Sequence, residues 1–95
     1  MILIKTVKPY KDIQIKSDYI IREFGEDIDP IELMWHRDNE SRTIIPLKEN
    51  NWLFQIDNQL PTPINKPIHI QKHEWHRVIK GNSNLQLKIY KHKDN

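Results

Sequence analysis

Residues 75–92, WHRVIKGNSNLQLKIYKH, show most clearly which fold class the chain adopts. A short apolar block at 75–79 is followed by a polar segment at 80–84 and by a second apolar block at 85–92. Neither block keeps the period of a helix, and the Gly, Asn and Ser between them are typical turn residues. The stretch therefore predicts two β-strands joined by a turn.

The same alternation of short apolar blocks and turn residues extends through most of the chain. It predicts further strands at 2–7, 13–15, 19–24, 31–37, 42–47, 52–57 and 67–71. Residues 17–24 also allow a helical turn capped by Ser17. The prolines at 61, 63 and 67 predict a loop or an edge strand. Strands of this length and spacing indicate an all-β sandwich or barrel.

Length and composition exclude several classes of protein. The 95 residues suffice for one core, so we expect a single domain over 1–95. The absence of Cys excludes disulfides, thiolate zinc sites and a thiol nucleophile. No run approaches a membrane span or a secretory core, so we expect a cytoplasmic protein that does not bind membranes. The net charge of +2 comes from scattered residues, so nucleic acid is not an expected partner.

One pair of polar residues has a spacing that suits a metal ion. His36 and Asp38 are two positions apart at the end of a predicted strand, so both side chains should face the same way. An imidazole nitrogen and a carboxylate oxygen that converge on one point can share a divalent ion. Pairs of this kind also occur on solvated strand faces, and the spacing alone leaves that alternative open.

Two segments of the chain resemble the two motifs of cupins. They are ELMWHRD at 32–38, with Arg42 and an apolar strand after it, and IHIQKHEWH at 68–76. The first cupin motif is His-x-His, three or four residues, then Glu, and the second is Pro-x-Gly-x-x-His. His36 falls on the first His and Asp38 on the second, Arg42 falls on the Glu, and His76 falls on the His of the second motif.

This resemblance implies both a fold and a ligand set. The fold is the cupin β-barrel, a double-stranded β-helix or jelly roll, with the similarity strongest over 31–90 and with N-terminal strands and a turn over 1–30. The implied metal ligands are His36, Asp38 and His76, a set that suits Fe, Mn, Ni or Zn. The sequence is also similar to small cupin-like proteins of tailed marine phages, which implies a bacterial or phage-infected cell.

The main departure from the cupin pattern is Arg42. A guanidinium offers only hydrogen-bond donors and stays charged, so Arg42 cannot be a metal ligand. It can pair with Asp38, form a salt bridge at the barrel mouth, or bind a carboxylate or phosphate on a ligand. Gln55 alternates with apolar neighbours on its strand and is a second candidate for ligand binding, with a solvated face as the alternative.

The remaining histidines and tryptophans have simpler interpretations. His69 and His73 have the spacing of a helical zinc pair, but a strand leading into a turn is the better prediction for their segment. His73 stands where the cupin motif has Gly, so we expect a turn residue, which would be strained if its φ were positive. The three tryptophans, Trp35, Trp52 and Trp75, are expected in core or rim packing.

Three classes of function fit these residues. The first is a metal-dependent enzyme acting on small molecules, and the second is a metal-free cupin that binds an anionic ligand through Arg42. The third is an interaction module, such as an oligomerising phage accessory or virion protein. Because cupin-like domains commonly dimerise through their sheets, we expect a homodimer. The sequence does not decide whether the protein is an enzyme.

Overall fold

The computed structural model describes residues 10–28 and 33–93, and the predicted strand 2–7 lies outside them. Within these ranges all regular secondary structure is β-strand, and no helix is long and apolar enough to cross a membrane. There are eight strands: β1 Lys11–Ile15, β2 Ile20–Phe24, β3 Arg42–Pro46, β4 Leu53–Ile56, β5 Thr62–Pro63, β6 Ile68–Ile70, β7 His76–Ile79 and β8 Leu85–Lys91.

The strands form two antiparallel sheets. The larger sheet has the order β1-β2-β8-β3-β6, and the smaller one has the order β5-β4-β7. Strand β8 is central, and its residues alternate between buried and partly buried, as expected for a strand with one face on a core. The predicted all-β jelly roll is confirmed, and residues 20–24 are strand rather than helix.

The core lies between the two sheets and is built from aliphatic and aromatic residues of both. Its buried members are Phe24, Leu33, Ile44, Trp52, Phe54, Ile64, Ile70, Leu85, Leu87 and Ile89. Of the three tryptophans, Trp52 is fully buried, whereas Trp35 and Trp75 lie at the rim and are 37% and 44% exposed.

The predicted strand 31–37 is wrong in its described part. Residues 34–37 are all exposed, so they lack the alternating burial of a strand on a core, and only His36 pairs, through an isolated bridge to His76. The proline-rich crossing instead contributes β5, which pairs only with β4 among the described strands. Its prediction as a loop or an edge is confirmed.

Trp52 joins the turn before β8 to the core. Its indole Nε1 donates a hydrogen bond to the carbonyl of Ser83 at 2.6 Å, and its ring lies 5.8 Å from that of Phe24. Gly81 in the same turn lies so close that a Cβ there would be 2.7 Å from Cδ1 of Trp52 and would also meet Asn51. The turn therefore needs glycine because space is lacking.

Gly81→Ala should lower the free energy of unfolding by about 1–3 kcal/mol, because the new methyl group overlaps a rigid ring and backbone. Chemical denaturation measures the change. Gly25→Ala is the matched control, since its nearest neighbour at 2.8 Å is the flexible carboxylate of Asp27. Equal losses in the two variants would contradict this account of the turn.

Candidate metal centre

The site begins with a backbone pairing between His36 and His76. The amide of His36 donates to the carbonyl of His76 at 3.0 Å, and the amide of His76 donates to the carbonyl of His36 at 2.9 Å. Residues that exchange both hydrogen bonds in an antiparallel pair project their side chains to the same side. The two imidazole centroids accordingly lie 4.3 Å apart.

Both histidines are the centre of the same tripeptide, Trp-His-Arg, at 35–37 and at 75–77. The flanking residues pair crosswise: the guanidinium carbon of Arg77 lies 4.8 Å from the ring centroid of Trp35, and that of Arg37 lies 5.2 Å from Trp75. These contacts are cation–π interactions. This repeat was not predicted, although it is visible in the sequence when the two motif segments are compared with each other.

Hydrogen bonds to the backbone orient both imidazoles. Nδ1 of His36 lies 3.1 Å from the carbonyl of Met34, and Nδ1 of His76 lies 2.7 Å from the carbonyl of Glu74. Because a carbonyl oxygen only accepts, each Nδ1 carries the proton and donates it. In the neutral ring, Nε2 then keeps a free lone pair, as in histidines that bind metals.

Asp38 joins the two histidines through an adjacent backbone contact. Its carbonyl accepts a hydrogen bond at 2.9 Å from the amide of His73, a turn residue whose φ is 66°. His73 is therefore a turn residue, as predicted, and its φ is positive. In its side chain, Oδ2 lies 3.3 Å from Nε2 of His76. One ligand atom from each of His36, Asp38 and His76 lies within 4.8 Å of the others.

The carboxylate of Asp38 is the observation that tests whether a metal ion fits. Its Oδ2 is buried and makes no well-formed hydrogen bond, although it lies close to His76. With His76 neutral, an anionic oxygen faces an imidazole lone pair, and this contact is unfavourable without a cation or a proton between them. Ligand atoms about 2.1 Å from one tetrahedrally coordinated ion lie about 3.4 Å apart, so side-chain movements of about 1 to 1.5 Å would close the set. The residues fit a divalent ion.

The surroundings favour the charge states that a metal ion requires. His36 is exposed as a residue, but its imidazole lines the cavity, and this partial desolvation of the ring lowers its pKa; the charges of His76 and Arg42 add to the effect. Burial alone would raise the pKa of Asp38, but contact with His76 and the positive charge of Arg42 outweigh it, so this pKa is lowered. Near neutral pH, His36 is therefore unprotonated and Asp38 is ionised, as metal ligands must be.

Arg42 is compensated by nearby carboxylates. Its Nη2 lies 2.8 Å from Oε1 of Glu40 and 3.5 Å from Oδ1 of Asp38, and its Nε donates to Glu40 at 2.9 Å. The predicted pairing with Asp38 is present, but Glu40 is the closer partner. Glu40 offsets the positive charge of the Arg42 guanidinium. Arg42 therefore repels a metal ion beside Asp38 less strongly than an unpaired arginine would.

The three candidate ligands line a cavity of about 410 Å³ between the sheets. Arg42 also lines it, whereas Gln55 does not: its side chain accepts from Nε of Arg77 and donates to the carbonyl of Gln59. Two further cationic residues line the cavity, Arg22 and Lys91, which the sequence analysis did not single out. The sequence feature that could have identified Lys91 as a cavity residue is its position two residues after Ile89, which puts both side chains on the same face of β8.

His69 and His73 do not form a joint site. His69 lies near Thr43 and the ring of His92, with its Nδ1 3.3 Å from the Thr43 hydroxyl, while His73 is in the turn beside Asp38. Within residues 10–28 and 33–93, His36, Asp38 and His76 are the one group of three or more acidic, His or Cys side chains close enough to share an ion.

The structure is similar to solved cupin domains. A cupin domain from Bordetella pertussis Tohama I is 12% identical, with a TM-score of 0.58 over 94% of this chain and 100% of that chain. A cupin-2 domain protein from Shewanella frigidimarina NCIMB 400 is 14% identical, with a TM-score of 0.56 over 90% of this chain and 81% of that chain. The Fe(II) form of HppE is 12% identical, with a TM-score of 0.59 over 78% of this chain.

These similarities establish the fold. The chain has the cupin fold, and it spans only 41% of the length of HppE. No family model and no curated protein sequence matches it. The cupin neighbours and the His-Asp-His cluster together fit a metal-binding cupin. None of these three structures is named as a phage protein. The resemblance to cupin-like proteins of marine phages therefore stays a prediction.

Proposed function

We propose that this protein binds a divalent transition-metal ion through Nε2 of His36, Nε2 of His76 and a carboxylate oxygen of Asp38. The buried Oδ2 of Asp38, without a well-formed hydrogen bond and 3.3 Å from Nε2 of His76, carries the proposal. Two imidazoles and one carboxylate suit Fe(II), Mn(II), Ni(II) or Zn(II).

The residues around the ligands support a centre that acts on a small molecule. Three protein ligands leave coordination positions open, and a bound ion would polarise an oxygen atom of a ligand in the cavity. The chain itself fixes the ligands: the carbonyls of Met34 and Glu74 orient the imidazoles, and Arg42 lies beside the Asp38 carboxylate. The cavity is of a size that admits a small organic molecule.

Protein produced without an affinity tag should carry about one metal ion per chain, because the proposed centre has one set of three ligands. Elemental mass spectrometry measures the content. His36→Ala and Asp38→Asn should each lose most of the ion, and Asp38→Asn does so while keeping the shape of the side chain.

His69→Ala is the matched control, since His69 is exposed and near a second imidazole, that of His92, but has no carboxylate in a joint cluster. It should keep the metal. Circular dichroism establishes that each variant is folded. Metal contents that are equal in His36→Ala and His69→Ala, or negligible in the folded parent protein, would contradict the proposal.

Self-association is a second candidate property, and an exposed apolar edge favours it. Strand β1 pairs with β2 alone among the described strands, and two of its apolar residues, Ile13 and Ile15, are 45% and 70% exposed. Edge strands with apolar side chains readily pair with another chain. A homodimer formed through β1 agrees with the expectation from the sequence.

Ile15→Lys should shift the protein from dimer to monomer, because a charge on an edge strand opposes pairing. Light scattering coupled to size-exclusion chromatography, over a range of concentrations, measures the mass. Leu60→Lys is the control, since Leu60 is 85% exposed and lies outside the strands. A monomeric parent protein, or equal masses in the two variants, would rule out an interface at β1.

A further inference from the structure

The larger sheet places two cations side by side on the wall of the cavity. Arg42 of β3 is directly opposite Lys91 of β8, and two residues along, Ile44 is opposite Ile89. Both isoleucines are buried in the core, so Arg42 and Lys91, two positions away on their strands, face the same inner side. Both residues line the cavity that also contains the His-Asp-His cluster.

The partners of the cavity cations differ. Arg22 forms a salt bridge with Asp12 at 2.7 Å and lies over the ring of Tyr10, and Arg42 pairs with Glu40 at 2.8 Å. Lys91 has no carboxylate within salt-bridge distance in the part of the chain that the structure describes.

The cavity wall therefore keeps one cation whose charge has no paired carboxylate among the described residues. Asp12 and Glu40 offset the charges of Arg22 and Arg42, whereas the charge of Lys91 is not offset in this way. Like charges directly opposite each other on antiparallel strands are destabilising. Glu40 offsets much of the Arg42 charge, and an anion between Arg42 and Lys91 would relieve the remaining repulsion and accept charge-assisted hydrogen bonds from both side chains.

We propose that Lys91 and Arg42 form an anion subsite, and that the natural ligand is a compact organic acid or phosphate ester. The rest of such a ligand would lie against apolar lining such as Phe54, Ile70 and Val78. That the ligand also presents an oxygen atom to a metal ion rests on the proposed function above, whereas the anion contact itself does not. Carboxylates and phosphates share the chemistry that the two cations recognise.

The test is a titration of metal-free protein, prepared with a chelator, with inorganic phosphate and separately with acetate at constant ionic strength. Amide chemical shifts in nuclear magnetic resonance spectra report binding residue by residue. At least one anion should bind saturably and shift amides at the paired ends of β3 and β8. Lys91→Gln should weaken this binding about tenfold, because it removes one charged donor.

Lys88→Gln is the matched control. It removes the same charge from the same strand, but Lys88 faces away from the cavity, with its Nζ 4.3 Å from the ring centroid of Tyr19. Its anion affinity should stay within about twofold of the parent protein, since only general electrostatics changes. Equal weakening by Lys91→Gln and Lys88→Gln, or no saturable binding of either anion, would overturn the proposal.

The two probes also separate the ligand classes. Binding of phosphate alone supports a phosphate ester, and binding of acetate alone supports a carboxylic acid. Anion binding that depends on Lys91, together with negligible metal in the protein as isolated, would support the subsite while overturning the metal centre. Metal content that depends on His36, without any anion binding, would support the metal centre and overturn the anion subsite.

Discussion

The reciprocal backbone pairing of His36 with His76 is the constraint on which the site depends. Two hydrogen bonds, at 3.0 and 2.9 Å, attach an exposed segment that forms no strand of its own to the start of β7. Because such a pair projects both side chains to one side of the backbone, the pairing alone is enough to bring the two imidazoles together. The following contact, from the amide of His73 to the carbonyl of Asp38, brings the carboxylate beside them. The three candidate ligands come from two parts of the sequence about forty residues apart.

Charge balance around this pairing explains how an arginine can stand where cupins keep a glutamate. Glu40 is the nearest partner of Arg42, so the guanidinium is held at the edge of the cluster with much of its charge offset. Its remaining charge still helps to keep the pKa of Asp38 low. In the proposed centre, two imidazoles and one ionised carboxylate would hold a divalent ion without a fourth protein ligand, and in the proposed anion subsite Arg42 would act with Lys91 on a ligand in the cavity.

The strands of the barrel were predictable because each is a short apolar block between turn residues, and β3, β4, β6, β7 and β8 all fall within the predicted ranges. The convergence of His36, Asp38 and His76 was also predicted, although its stated reason was only partly correct. His36 and Asp38 converge with His76 through an isolated bridge and a turn, not along a continuous strand, because residues 34–37 have no core to cover. Lys91 was missed because a lysine near the end of the chain looks like part of a charged tail until the register of β3 with β8 is known.

The central claim is that both imidazoles donate from Nδ1 and keep Nε2 free for a metal ion, and long-range ¹H–¹⁵N nuclear magnetic resonance tests it directly. In metal-free protein near neutral pH, we expect that His36 and His76 both have the proton on Nδ1. Addition of Zn²⁺ should then shift the Nε2 resonances of these two residues and leave those of exposed His69 in place. A proton on Nε2 of either residue in the metal-free protein, or a Zn²⁺ shift confined to His69 and His92, would contradict the account.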